Sequence, residues 1–195
     1  MEAFVLKGKV TGGLTDEEFF WFCQENKDLR IERSSKLEIY IKSPVTTLSA
    51  FWNMEISRQL ANWAIQDGKG LAFDSSAGFT LSDRSVLSPD ASWVSKEKWN
   101  SLSNDEKNRF APICPEFVIE VRSKSDHIDD LKMKMRIWVS NGAELAWLVD
   151  PIKQISYLFN SRERESEKIV RGIDQKIEGE GKITGFVLDL SLLKI

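Results

Sequence analysis

The run Glu116-Phe117-Val118-Ile119-Glu120-Val121 constrains the fold more than any other stretch of the chain. Between its glutamates it is apolar at consecutive positions, whereas a half-buried strand alternates apolar and polar side chains. Such a strand is covered on both faces, which places it inside a sheet between two layers. The next two segments set the topology. An amphipathic helix is predicted over about 129–141, stopped by Gly142, a residue suited to the position just past a helix end, and 145–149 reads as a second buried strand closed by Asp150-Pro151. Strand, helix and strand in that order make a crossover unit, so an α/β (α+β) chain with a mixed central sheet is expected.

Upstream, Thr15-Asp16-Glu17-Glu18 is a capping box that opens a helix through about Asn26, with Phe19, Phe20 and Phe22 or Cys23 as its buried stripe. Strands are predicted near 29–33 and 36–42, the second alternating Leu37, Ile39 and Ile41 against Lys36, Glu38 and Lys42. That pattern describes a half-buried hairpin. A helix over about 48–64 carries Phe51, Met54, Ile56, Leu60 and Trp63 as its apolar set. Short strands are predicted at 71–74, 78–81, 154–159 and 168–171, another is entered through Pro89-Asp90, and 96–105 reads as a short helical insertion. No repeat or linker divides the 195 residues, so a single domain over 1–195 is expected.

Composition removes several chemistries. Histidine occurs once, at His127, which excludes two-histidine metal sites, and the two cysteines, Cys23 and Cys114, cannot make a four-ligand zinc site or a disulfide framework. A net charge of −3 excludes a strongly basic nucleic-acid wrapper but leaves room for a local patch. Apolar runs stop short of the roughly 18 residues of a membrane span, and Met1-Glu2-Ala3-Phe4 lacks the layout of a signal peptide, so a cytoplasmic location is expected. Chemistry must run on carboxylates and lysines, with or without a hard cation.

Three residues stand out. Glu120 interrupts an apolar strand, so its carboxylate must be exposed at a strand end, paired with a partner such as Arg122, or bound to a cation. Asp90 follows Pro89 at a strand entry, although Pro-Asp is also an ordinary turn dipeptide. At 100° per residue, Lys134 falls inside the apolar arc of Leu131, Met133, Met135, Ile137 and Trp138, while Lys132 and Arg136 fall on the polar side, facing water. A lysine on that arc either snorkels along the helix edge or meets buried anions.

The ordered set Ser88-Pro89-Asp90-Ala91-Ser92-Trp93-Val94, Cys114-Pro115-Glu116-Phe117-Val118-Ile119-Glu120-Val121-Arg122-Ser123, Lys134-Met135-Arg136-Ile137-Trp138, Gly142 and Trp147-Leu148-Val149-Asp150-Pro151 resembles the Uma-two family of "putative restriction endonucleases". That family lies in the PD-(D/E)XK nuclease superfamily. The resemblance implies a restriction-endonuclease-like core and a metal-dependent endonuclease that hydrolyses phosphodiester bonds of DNA. It implies Mg²⁺ or Mn²⁺ held by Asp90, Glu120 and the backbone carbonyl of Val121, and a catalytic Lys134 that orients or deprotonates the attacking water. Glu32 falls where the family carries an early glutamate, as a further ligand or water-orienting group. A homodimer is expected, because two strands of a duplex are most simply cut by a twofold pair.

The chain departs from the pattern at several positions. Arg122 replaces the superfamily's lysine two residues past the glutamate, and the family resemblance puts that lysine on the next helix, which singles out Lys134 over Lys124 and Lys132. Ser49 stands near a position where members carry histidine, and Lys124 where they carry proline. His127 reads as a surface residue at a helix start. Two other classes fit the sequence as well: a nucleic-acid-binding module that no longer cleaves, and an oligomerisation protein whose interface uses some of its seven tryptophans.

Overall fold

Alternation along 117–121 divides the molecule into layers. The computed structural model describes residues 4–6, 13–163 and 167–195. The Met1-Glu2-Ala3 start lies outside them. Its elements are β1 (Phe4–Leu6), α1 (Asp16–Glu25), β2 (Arg30–Arg33), β3 (Ile39–Lys42), α2 (Thr47–Asp67), β4 (Gly70–Asp74), β5 (Phe79–Thr80), β6 (Val86–Leu87), β7 (Ala91–Ser95), α3 (Lys96–Asn100), α4 (Asn104–Lys107), β8 (Phe117–Val121), α5 (Ile128–Ser140), β9 (Leu145–Asp150), β10 (Ile155–Asn160), β11 (Glu167–Arg171), β12 (Lys176–Glu178) and β13 (Val187–Asp189).

The central sheet has the order β11-β10-β9-β8-β7-β4, and β8 and β9 are its parallel pair, joined through α5. The sheet is therefore mixed, as the crossover unit predicts. Successive side chains of a strand point to opposite faces. Phe117, Ile119 and Val121 pack with Trp52, Ile56 and Leu60 of α2, whereas Val118 packs with Met135 and Trp138 of α5. Glu120 shares the parity of Val118, so the strand's own pleat aims it at α5.

A second, antiparallel sheet has the order β1-β3-β2-β6-β5. Helix α1 covers it through Phe19, which packs with Ile39 and Val86. Thr15 caps α1 with both bonds of the capping box in place. Arg33, fully buried, ties the start of α1 to this sheet by donating to the carbonyl oxygens of Leu14 and Arg84 and pairing with Asp16.

Several expectations are corrected. The buried stripe of α2 is Trp52, Ile56, Leu60 and Ala64, at intervals of four, while Phe51 and Met54 are 42% and 70% exposed. The helix is turned so that Trp52 enters the core, where its indole N–H donates to the carbonyl of Leu193 at 3.0 Å. Leu37 adopts φ of 63° in the turn before β3, which shortens the predicted strand to 39–42. Met133 is exposed, outside the expected apolar arc. Lys132 does not face water: it pairs with Glu167 and lies 4.0 Å from the ring centre of Tyr157, because β10 and β11 extend the sheet past that flank of α5. Strands β6, β12 and β13 are too short for periodicity to reveal. Among the described residues no helix is long and apolar enough to cross a membrane.

Close packing between β4 and β7 yields a test. A Cβ at Gly70 would lie 2.2 Å from Trp93 Cε2, a ring fully buried between the layers. Gly70→Ala is expected to cost about 1–3 kcal/mol by overpacking, read as a lower urea midpoint; an unchanged midpoint would show that the Trp93 ring moves freely.

Candidate active site

Pairing between β7 and β8 runs Trp93↔Phe117, Ser92↔Val118, Ala91↔Ile119 and stops there. Past that point the backbone of β8 has no strand on its β7 side, and the side chain of Asp90 takes the place. Its Oδ2 accepts the N–H of Val121 at 2.7 Å, and Oδ1 accepts Asn53 Nδ2 of α2 at 3.0 Å. Glu120, 4% exposed, emerges on the α5 face beside it. Lys134 Nζ sits 2.6 Å from Glu120 Oε1, and Trp138 Nε1 donates to the same oxygen at 3.4 Å. Lys134 therefore meets buried anions rather than snorkelling outward, and Glu120 pairs with Lys134 rather than Arg122.

Glu32 reaches the same ammonium from the other sheet. Its Oε1 accepts Lys134 Nζ at 3.1 Å, Lys42 Nζ at 2.7 Å and the N–H of Ser88 at 3.0 Å. The carbonyl of Ser88 accepts Lys134 Nζ at 2.9 Å. Ser88 thus uses its donor on the carboxylate and its acceptor on the lysine, at the link where the chain leaves β6 for β7. All three donors of the Lys134 ammonium are taken, by Glu120, Glu32 and Ser88.

The charges differ in how burial is answered. Burial opposes ionisation of Glu32, but the ammonium groups of Lys134 and Lys42 and the Ser88 N–H hold its carboxyl down at about 2. Burial pushes Glu120 up to about 7 despite Lys134, with Asp90 adding to the rise. Asp90 is raised as well, by burial first, against the Val121 N–H. Burial alone would lower Lys134, yet Glu120 and Glu32 push it above the ordinary lysine value, so it is an ammonium at neutral pH. The other glutamate of the run, Glu116, is held below the usual range against burial by Ser95 and Lys98. It accepts Ser95 Oγ at 2.6 Å and Lys182 Nζ at 3.2 Å at the opposite end of β8, and is a structural anchor.

These groups face a cavity of about 880 Å³, which Arg30, Tyr40, Lys42, Asn53 and His127 also line. Asp90, Glu120, Lys134, Glu32 and Val121 all lie along it. Arg122 does not join them: its Nη1 pairs with Asp150 Oδ2 at 2.6 Å. Lys124 is exposed, and His127 is exposed at the start of α5. Sequence reasoning misses Lys42 and Asn53. The signal for Lys42 lies in the hairpin register: Arg30 pairs with Lys42 and Glu32 with Tyr40, so all four share one face, and that face lines the cavity instead of meeting open solvent. No sequence signal distinguishes Asn53 from any other polar residue of α2.

Among the described residues no cluster of three or more His, Cys, Asp or Glu side chains is arranged to hold a metal ion. Glu32 is held ionised by two ammonium groups, whereas Asp90 and Glu120 are pushed up for want of a full counter-charge, so a cation here would rest first on that pair. Both are hard oxygen donors, Glu120 buried and Asp90 half-buried, and both are incompletely compensated; such a set suits a cation that keeps several waters. Removing Lys134 would leave two buried carboxylates without their shared counter-charge. Lys134→Met is expected to cost about 3–5 kcal/mol, measured by urea denaturation; a loss below about 1 kcal/mol would show that the carboxylates are solvated in the cavity.

Residues 16–191 match the family described as "Putative restriction endonuclease" (Uma2). Among solved structures the chain is similar to a putative nuclease belonging to DUF820 from Anabaena variabilis, with a TM-score of 0.72 and 17% identity, covering 93% of this chain and 97% of that one. That likeness shows the fold. A DrdV–DNA complex is a distant neighbour, with a TM-score of 0.38 and 10% identity over 63% of this chain and 12% of that one. No curated protein matches the chain significantly. With the match running from the first residue of α1 to beyond β13, the chain belongs to the Uma2 family of restriction-endonuclease-like proteins.

Proposed function

We propose that the protein is a metal-dependent endonuclease that hydrolyses phosphodiester bonds of DNA. One observation carries the reading: the carboxylates of Asp90 and the buried Glu120 lie together at the wall of a cavity, with the ammonium of Lys134 2.6 Å from Glu120. Asp90 and Glu120 would hold Mg²⁺ or Mn²⁺. The carbonyl of Val121 is the natural third oxygen, since a strand residue turns its N–H and C=O to the same edge and the Val121 N–H already points at Asp90. The chemistry such an ion supplies is a lowered pKa for bound water and neutralisation of charge on the phosphodiester.

The chain's own residues divide the remaining work. Asp90, anchored through the Val121 N–H and Asn53, keeps its carboxylate against the open edge of β8. Glu120 carries a proton more readily than an ordinary carboxyl, and would have to be ionised to hold a cation. Lys134 remains an ammonium with its donors on Glu120, Glu32 and Ser88, so it holds the carboxylates in place and offers fixed positive charge to developing negative charge, and does not serve as the base that deprotonates the water. Glu32, with its oxygen shared between Lys134 and Lys42, positions those lysines in preference to serving as a ligand.

Two measurements test this. Isothermal titration with Mn²⁺ should show binding to the parent and a large loss in both Asp90→Ala and Glu120→Ala; equal affinity in all three would remove the shared site. A bound ion at a hundredfold excess over its Kd should also stabilise the parent by about 2.7 kcal/mol. Plasmid and oligonucleotide DNA incubated with protein in Mg²⁺ or Mn²⁺ at low salt should be cut by the parent and not by Glu120→Ala. Cleavage that persists in Glu120→Ala is contamination. No cleavage by a parent that still binds DNA and metal would favour the module that no longer cuts.

A further inference from the structure

The site holds a second cation that the proposed chemistry does not use. Lys42 lies on β3, and its Nζ is 2.7 Å from Glu32 Oε1. Its side chain is 25% exposed, against 12% for Lys134. Whereas the ammonium of Lys134 has all its donors occupied, Lys42 is paired with Glu32 at the cavity wall. Lys42 lines the cavity, and its charge reaches both Asp90 and Glu120.

Charge within the carboxylate–lysine cluster bears on what could sit against it, although Lys27, Arg30, Asp83, Asp126 and Asp130 also line the cavity. Glu32, Asp90 and Glu120 give three negative charges, and Lys42 and Lys134 two positive ones. Once a divalent cation rests on the carboxylate pair, the cluster becomes positive by one, which one phosphodiester neutralises. Lys134 cannot turn toward that phosphate without leaving a buried carboxylate. Lys42 can, because its ammonium sits at the cavity wall on Glu32 and its side chain is the more exposed of the two. A flexible lysine serves as a point charge for phosphate.

We propose that Lys42 is the phosphate-contacting residue of this cavity, donating to a non-bridging oxygen of the phosphodiester seated at Asp90 and Glu120. The assignment rests on the nuclease reading and names the group that seats its substrate. It makes Glu32 the buried anion that aims one lysine at the carboxylate pair and the other at the substrate.

The test is fluorescence anisotropy of a labelled DNA oligonucleotide, in Ca²⁺ to limit turnover, with the affinity taken over a series of salt concentrations. Lys42→Met should weaken binding about tenfold at low salt and reduce the slope of log K against log [salt] by about one. Lys42→Arg should keep the parent slope, as should Lys69→Met, which removes an exposed lysine paired with Asp67. Mn²⁺ affinity and melting temperature are measured on every variant. An unchanged slope in Lys42→Met overturns the proposal and leaves the nuclease reading intact. Loss of Mn²⁺ binding in that variant also overturns it, since Lys42 would then act through Glu32 alone. A parent that binds no DNA at any salt overturns the nuclease reading, and this assignment with it.

Discussion

The ammonium of Lys134 is the point at which the two larger sheets meet. It hangs from α5, which covers the central sheet, and binds Glu120 of that sheet, Glu32 of the antiparallel sheet and the carbonyl of the linking Ser88. Each bond spans a different pair of elements. Burying a lone ammonium or a lone carboxylate is expensive, and the cost is offset only when both arrive together. The site is thus a condition of the tertiary arrangement as well as its product.

The backbone supplies the rest of the geometry by ending a ladder early. Because β7 and β8 part after Ala91↔Ile119, an N–H of a central strand is left for a side chain, and Asp90 is the residue that takes it. The same divergence opens the cavity between the α5 side of the sheet and the face of β2 and β3. One irregularity therefore provides the carboxylate's anchor, an accessible strand edge and room for a ligand.

Legibility varies residue by residue. The wheel of α5 is a local rule, so the sequence puts Lys134 on the apolar arc of its helix, but whether it snorkels or meets anions, and whether Glu120 pairs with Arg122, is decided by tertiary contacts. Local rules do not separate Glu116 from Glu120, since the difference lies in Ser95 and Lys182, far away in sequence. Lys132 defeats them for the same reason: a position polar by periodicity is covered by strands that come later in the chain. Alternation assigns the hairpin's polar face to solvent, because it reports that two faces differ and not what lies opposite each. Lys42 gains its place only when the second sheet closes over the cavity. The orientation of α2 likewise follows the shape of the Trp52 ring and its bond to Leu193 more than the count of apolar residues.

The crossing at Ser88-Pro89-Asp90 carries a mechanical consequence. The chain passes from one sheet to the other through three consecutive residues, and two of them are tied into the site, Ser88 to Glu32 and Lys134 and Asp90 to the edge of β8. Rotating one sheet against the other must strain these bonds before it strains much else. The seam between the sheets and the reactive centre are one object, so the interior cannot breathe at this boundary without the site registering it.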